Sequence, residues 1–409
     1  MTVQRSTKFT AVLEHTLVFA GDLLPYGIMF LLTLMVGYGL GLESAAFFSM
    51  TYVYVAVVTA VVCGPNLLSL KRRMPVAVSP GAVVAASLSL RAAVICIGAA
   101  LVIGLLYATK SPLSMISLML ILFVGRLFET AVDGPATSVQ YLRGAGEYFF
   151  LRLLVFVLIC CITGLGSITS SAPTLMRIAL SYLVGSAVGF FVTLTISRHL
   201  LFPISGVKEE TRAQASEFGK FFLATVLFLA ASRLHPMIIH FFSGHKAAGQ
   251  FAMVQNLFSV VAVAAGGVAG LFFWSRNREV TQKSSAGIPW RWLAGAIPGG
   301  LALGAASGAA MDVLYLRPLG STTEVRTVAW LLCASTPFLI IQAILSNQLV
   351  LQKRDREMLT LSALSAAAGL LLITLLVYKF GLFGAALSVS ASAIFSTLLG
   401  IFIMHRAHE

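Results

Sequence analysis

The chain has 409 residues, of which 58% are hydrophobic and only 11% charged, and its formal net charge is +13. A soluble domain carries about a quarter charged residues because its surface must face water, so this composition excludes a water-soluble globule. It also excludes a nucleic-acid partner, because the basic residues fall in short clusters between apolar runs, the pattern of inner loops in a membrane protein.

The first apolar run starts near residue 16, behind Arg5 and Lys8, as a secretory leader would. It continues to about residue 40 without a small-residue cleavage site, longer than a leader core, and is read as a retained first span. Crossing the hydrocarbon core takes about 20 apolar residues. Further runs of that length follow at roughly 44–67, 84–107, 113–136, 149–169, 175–197, 218–242, 249–274, 293–314, 328–350, 358–379 and 383–404. Gly39 and Gly41 divide the first two spans, and Gly381 and Gly384 the last two. The prediction is an all-α membrane protein of about twelve transmembrane helices.

Orientation follows from the loops. With the N-terminus inside, the inner segments carry Arg5, Lys8, Lys71, Arg72, Arg73, Arg143, Lys208, Arg212, Lys220, Arg276, Arg278, Lys283, Arg291, Lys353, Arg354, Arg356 and Arg406. The outer ends carry only Lys110, Arg177, Lys246, Arg317, Arg326 and Lys379. This asymmetry places both termini in the cytoplasm of a cell with a bacterial-type inner membrane. Cys63, Cys96, Cys160, Cys161 and Cys333 all fall in apolar runs without metal-ligand spacing, and are read as small buried hydrophobes.

The two halves of the chain repeat. Gly41, Ala45, Phe48 and Met50 recur as Gly244, Ala248, Phe251 and Met253, at an offset of 203. Ala179, Leu180 and Ser181 recur as Ala386, Leu387 and Ser388 at 207, and Ser138 and Gln140 as Ser346 and Gln348 at 208. An even number of spans per repeat returns each repeat to its starting side, so the expected halves are related by a pseudo-two-fold axis along the membrane normal. The expected organisation is a six-helix lobe over 1–200, a cytoplasmic linker over 201–216 and a second six-helix lobe over 217–409. Lobes so arranged across a central cleft suit alternating access.

The turn Gly244, Ala247, Ala248, Gly249, Phe251 and Ala252 resembles the "G…AG.Y..A" turn between the seventh and eighth helices of polysaccharide flippases. The run Gly381, Leu382, Gly384, Ala385 and Ala386 resembles their "yGl.GAA" turn before the last helix. On these motifs the chain resembles the polysaccharide, or O-antigen flippase, branch of the multidrug/oligosaccharidyl-lipid/polysaccharide (MOP) exporter superfamily. The resemblance implies flipping of a polyprenyl-diphosphate-linked oligosaccharide, with other polysaccharide-assembly proteins as candidate partners. It also implies a proton-titrating role for an acid of the first helix, here Asp22.

Charges inside spans are the candidate site residues, because a charge at the bilayer centre costs at least about 2.5–3.5 kcal/mol and usually faces protein or a water-filled cavity. Arg126, Glu129 and Asp133 fall within about 60° on one helix face. They either satisfy one another near the inner interface, where Gly134 and Pro135 would end the helix, or serve a substrate. Arg233 lies mid-span, just before His235 and Pro236. Its planar fork suits a diphosphate, and a carboxylate is the other partner open to it. Asp22 is a coupling acid or a partner of Arg233 or Arg126. Arg91 binds substrate or snorkels to the inner interface. Gln255, Asn256 and Gln342 either meet sugar hydroxyls or hold helices together.

Nucleotide-binding and metal-ligand motifs are absent from the sequence, so no cofactor is expected. No large outer loop exists to house glycan-assembling chemistry, which argues against an enzyme. A cation-coupled drug exporter is the runner-up. The intramembrane arginines favour the lipid-diphosphate substrate.

Overall fold

A computed structural model describes the chain over 8–74, 79–108, 113–168, 174–202, 204–280, 290–351 and 354–406. Within these ranges the side chains of some stretches, that of Arg233 among them, lie outside the description.

The described residues are helical almost throughout. In order they form α1 (Lys8–Leu40), α2 (Leu42–Arg73), α3 (Pro80–Ala108), α4 (Leu113–Ala131), α5 (Asp133–Leu142), α6 (Ala145–Ile168) and α7 (Leu175–Leu201). Then come α8 (Val207–Arg233), α9 (His235–Val280), α10 (Trp290–Met311), a π-helical turn at Asp312–Leu316, α11 (Thr323–Ala334), α12 (Thr336–Leu351) and α13 (Asp355–Arg406). In lipid every backbone polar group must be satisfied within the chain, and helices do that locally.

Among the described residues, nine stretches are long and apolar enough to cross a membrane. The sequence counted about twelve, and the difference has local causes. Arg356–His405 is one apolar stretch of 50 residues, although Gly381 inside it adopts φ +55° and interrupts the helix. The fourth predicted span is divided at Val132, between α4 and α5. The first half of α8 is charged, with Glu209 and Glu210 in its opening turn.

Gly41 and Gly244 both take a left-handed backbone, at φ +86° and +83°, which costs least without a Cβ. The residues that repeat behind them, Ala45, Phe48 and Met50 in one copy and Ala248, Phe251 and Met253 in the other, are all fully buried.

The chain divides into two compact units. One comprises Ala20–Leu40 and Phe47–Leu229; the other comprises Met1–Phe19, Gly41–Ala46 and Ala230–Glu409. In the first, α4 packs on α7, α6 on α7, and α5 on both α6 and α7. The early turns of α8, within the stretch expected as a linker, dock on the same unit. Arg73 at the end of α2 forks onto Glu210, Ser69 Oγ donates to Glu217 at 2.9 Å, and Gln214 Nε2 donates to the Val83 carbonyl at 2.8 Å. The hydrogen bonds to Glu210 hold the Arg73 guanidinium protonated even more firmly than usual.

In the second unit, α9 packs on α12 and α13, and α10 on α11 and α12. Small residues make the last contact close. A Cβ on Gly300, Gly304 or Gly308 would come within 2.5 Å of Pro337, 2.3 Å of the Cys333 carbonyl and 2.8 Å of the Trp330 ring. In lipid, helices gain by close packing because no hydrophobic drive brings them together. Outside both units large apolar side chains such as Phe150, Leu165, Leu371 and Leu398 are exposed, a surface suited to hydrocarbon. Cys63 and Cys333 are buried as expected; Cys161 is exposed on such a surface, and the Cys96 side chain lies outside the described residues.

This packing predicts that Gly304→Leu overpacks the α10–α11 contact at a cost of about 1–3 kcal/mol. It should lower the unfolding temperature of detergent-solubilised protein. Gly299→Ala, at a position with nothing within 4 Å of the new Cβ, should leave it unchanged.

Candidate functional site

The intramembrane charges of the first unit form two linked clusters. The hub of the larger one is Asp133, the first residue of α5. The sequence allowed the fourth span to end at Gly134 and Pro135. Instead the chain runs on helically, with Ala136 N–H donating to the Val132 carbonyl at 3.0 Å and Gly134 to Val139 buried. Pro135 sits in the first turn of α5, where its missing N–H is least costly.

Arg152 of α6 donates from Nη2 to Asp133 Oδ1 at 2.6 Å and from Nε to the Tyr148 hydroxyl at 3.2 Å. Tyr148 in turn donates to Asp22 of α1. Gly21 makes room for that tyrosine, since a Cβ there would lie 2.7 Å from its ring. On the other side of Asp133, Arg91 of α3 places Nη2 3.8 Å from Oδ2. Arg91 Nε donates to Asn66 Oδ1 of α2 at 2.7 Å, and Nη1 donates to the Thr130 carbonyl. Ser87 Oγ donates to the same Asn66 oxygen at 2.5 Å. Arg91 is 4% exposed and Arg152 7%. Snorkelling to the interface is therefore not what Arg91 does: the partly exposed Asp133 carboxylate and the buried Asn66 amide hold it where it is.

The second cluster is Arg126, Glu129 and Tyr182. Arg126 Nη1 and the Tyr182 hydroxyl both donate to the Glu129 carboxylate, one to each oxygen. Gly125 admits the Tyr182 ring, which a Cβ would meet at 2.7 Å. Arg126 lies about 20 Å along the helix from Leu113 and about 24 Å from Leu142, at 1.5 Å per residue, so it is mid-length. The two clusters adjoin, since Thr130 donates from Oγ1 to the Arg126 carbonyl at 3.0 Å while its own carbonyl receives Arg91.

The three arginines and three carboxylates balance, as burial demands. They are not equally occupied. Arg91 and Arg152 direct donors to several partners each, although Arg91 Nη2 makes no hydrogen bond among the described residues. Arg126 has one partner side chain; its Nε is buried and unpartnered among the described residues. Its side chain nonetheless remains 17% exposed, against 3% for Glu129.

The other predicted residues lie elsewhere. Gln255 and Asn256 are buried on α9 in the second unit, and Asn256 Nδ2 has no partner among the described residues. Arg233 ends α8, and the helix restarts at His235 past Leu234, a break consistent with Pro236; its side chain lies outside the described residues. The sequence reading missed Asn66, Tyr148, Arg152 and Tyr182. Arg152 was legible as a lone arginine in an apolar run. The tyrosines carry no such signal, because a tyrosine in a span is ordinary. Among the described residues no three His, Cys, Asp or Glu side chains are grouped to hold a metal.

No protein-family model matches the chain, and no curated protein matches it in sequence. Solved structures do match in fold. A Vibrio cholerae MATE transporter, VcmN in its bent form, is 14% identical at a TM-score of 0.61, covering 98% of each chain. A MOP superfamily transporter from Pyrococcus furiosus, described as having a binding pocket of reverse polarity, is 13% identical at a TM-score of 0.66, covering 98% of this chain and 96% of that one. The lipid II flippase MurJ, inward closed, is 13% identical at a TM-score of 0.64, covering 95% of this chain and 87% of that one. At these identities the likeness establishes the fold, which is that of MOP superfamily transporters.

The network predicts that Asp133 supports folding. Asp133→Ala strands two buried arginines, a loss of about 3–5 kcal/mol, and should sharply lower membrane abundance. Removing Arg152 as well should restore part of it. Unchanged abundance in Asp133→Ala would mean the ion pairs contribute nothing.

Proposed function

We propose that this chain is a transporter that flips a polyprenyl-diphosphate-linked oligosaccharide across the bacterial inner membrane by alternating access. Arg126 carries the reading. A half-paired, partly exposed guanidinium in mid-span needs an anion, and its planar fork suits phosphate oxygens. The fold shared with a lipid II flippase supports this substrate class. Arg233 is the second candidate phosphate contact. Asn256, with a buried amide donor to spare, and Gln255 are candidate sugar contacts. We assign Arg91 to holding Asp133.

The proposed topology is twelve spans with both termini cytoplasmic. It follows if the stretch interrupted at Gly381 is two spans, α4 with α5 is one, and α8 through Gly244 is another. Two repeats of six spans are supported by the turns themselves. Glu43 and Lys246, at equivalent repeat positions, lie 3.7 Å apart. A Cβ on Gly249 would lie 2.9 Å from the carbonyl of its equivalent, Ala46.

One observation favours a second reading, a cation-coupled multidrug exporter. Asp22 on α1 is held by Tyr148, an acid where the resemblance expects a titrating one, and VcmN shares the fold.

Export of surface glycan separates the two readings when measured beside membrane abundance. Arg126→Gln combined with Glu129→Gln, which strands no buried carboxylate, should lose export at normal abundance. Arg126→Lys should fall between, because a point charge replaces the fork; a charged hydrogen bond is worth about 1.5–3 kcal/mol, roughly ten- to a hundredfold in affinity. Full export by the double variant, together with drug efflux that depends on Asp22, would favour the exporter.

A further inference from the structure

Glu129 occupies the donor edge that the proposed ligand needs. It sits one helical turn from Arg126, is 4% exposed, and takes Arg126 Nη1 on Oε1 and the Tyr182 hydroxyl on Oε2. The charged and titratable groups around it come from several helices. Arg126 is on its own helix, Tyr182 on α7, Tyr52 on α2 and Cys160 on α6, the last three near enough for electrostatic interaction with the cluster. Arg91 of α3 reaches the neighbouring Thr130 carbonyl, and Asp133, one turn on, is occupied by Arg152. Among these groups Arg126 is the cation in direct contact with Glu129.

We propose that Glu129 is an internal stand-in for the ligand phosphate: a diphosphate displaces it from Arg126, and the released carboxylate takes up one proton. The inference rests on the reading of Arg126 as a phosphate contact. The proton follows from electrostatics. Once a phosphate shares Arg126, Glu129 loses its counter-ion, gains an anionic neighbour and stays buried, and all three favour the neutral acid. The proton comes from the acid form of the solvent buffer, which is left as its conjugate base, and joins a carboxylate oxygen as the Arg126–Glu129 ion pair opens. Tyr182 opposes the exchange, because its hydroxyl stabilises the charged form. Ligand binding therefore strengthens as pH falls, by up to about tenfold per pH unit for one proton. The intact pair keeps Arg126 neutralised when no ligand is present.

The test uses full-length protein in nanodiscs and farnesyl diphosphate as probe. Affinity and proton uptake are measured by calorimetry in two buffers of different ionisation enthalpy, at about pH 6 and about pH 8. Comparing variants cancels the titration of the probe itself, since one proton linked to binding gives a slope of about one log unit per pH unit. Wild type should take up one more proton than Glu129→Gln. Glu129→Gln should bind at least about tenfold tighter at the higher pH, as one linked proton implies. Tyr182→Phe keeps the acid and removes the opposing hydroxyl, so it should bind with an affinity between the two. It stands in if Glu129→Gln does not fold, as judged by its melting temperature. Loss of binding in Arg126→Gln, with Glu129→Gln and Tyr182→Phe matching wild type in affinity and proton uptake, overturns the stand-in and leaves the phosphate reading intact. Undiminished binding by Arg126→Gln overturns the phosphate reading, and the stand-in with it.

Discussion

A charge in the low-dielectric interior must find an opposite charge or water, and this requirement organises the first unit. Six ionised side chains from α1, α3, α4, α5 and α6 converge there. Asp133 is where they join, because it faces Arg91 on one side and Arg152 on the other. Around it the helices are shaped for close approach. Gly21 and Gly125 leave space for two tyrosine rings whose hydroxyls complete the carboxylates. Packing and electrostatics are one constraint here, since the tyrosines reach the acids only because glycines stand opposite them.

Among its described residues, the second unit meets the same problem with fewer charges. Its α10 contact rests on glycines at every fourth position from Gly300 to Gly308. Asp312, in the π-helical turn, is nearly buried and receives Arg326 at both carboxylate oxygens, with Arg317 alongside. That turn closes α10 by satisfying one acid with two arginines near the start of α11. Among the described residues its buried polar groups are otherwise mostly amides and hydroxyls, as at Gln255, Asn256 and Ser388, with His235 beside them. The functional contrast follows: among the described residues, Arg126, a partly exposed arginine whose one partner side chain is Glu129, belongs to the first unit.

Arg126 and Glu129 are also where structure and mechanism are hardest to separate. An i,i+3 pair on one helix stabilises that helix modestly in water. Here the same pair neutralises a guanidinium, and under the proposed function a phosphate takes the place of Glu129. Arg91 and Arg152 lack this freedom because each is bound on several sides. Under the proposed function, the number of partner side chains, rather than the presence of charge, separates Arg126 from Arg91 and Arg152.

The sequence by itself determined the helical membrane class and the matched turns at Gly41 and Gly244. Those properties are local: hydropathy acts over about 20 residues, and a left-handed turn selects glycine at one position. It also exposed Arg126, Glu129, Asp133, Asp22 and Arg91 as charges in the wrong solvent. Only the tertiary structure decided their pairing. Asp133 lies close in sequence to Glu129, yet its partners come from α3 and α6, and Asp22 is met by a tyrosine 126 residues away. One-dimensional periodicity gives the face of a helix but not the helix that comes to face it. Which arginine is left with a free edge is therefore a property of the packed unit.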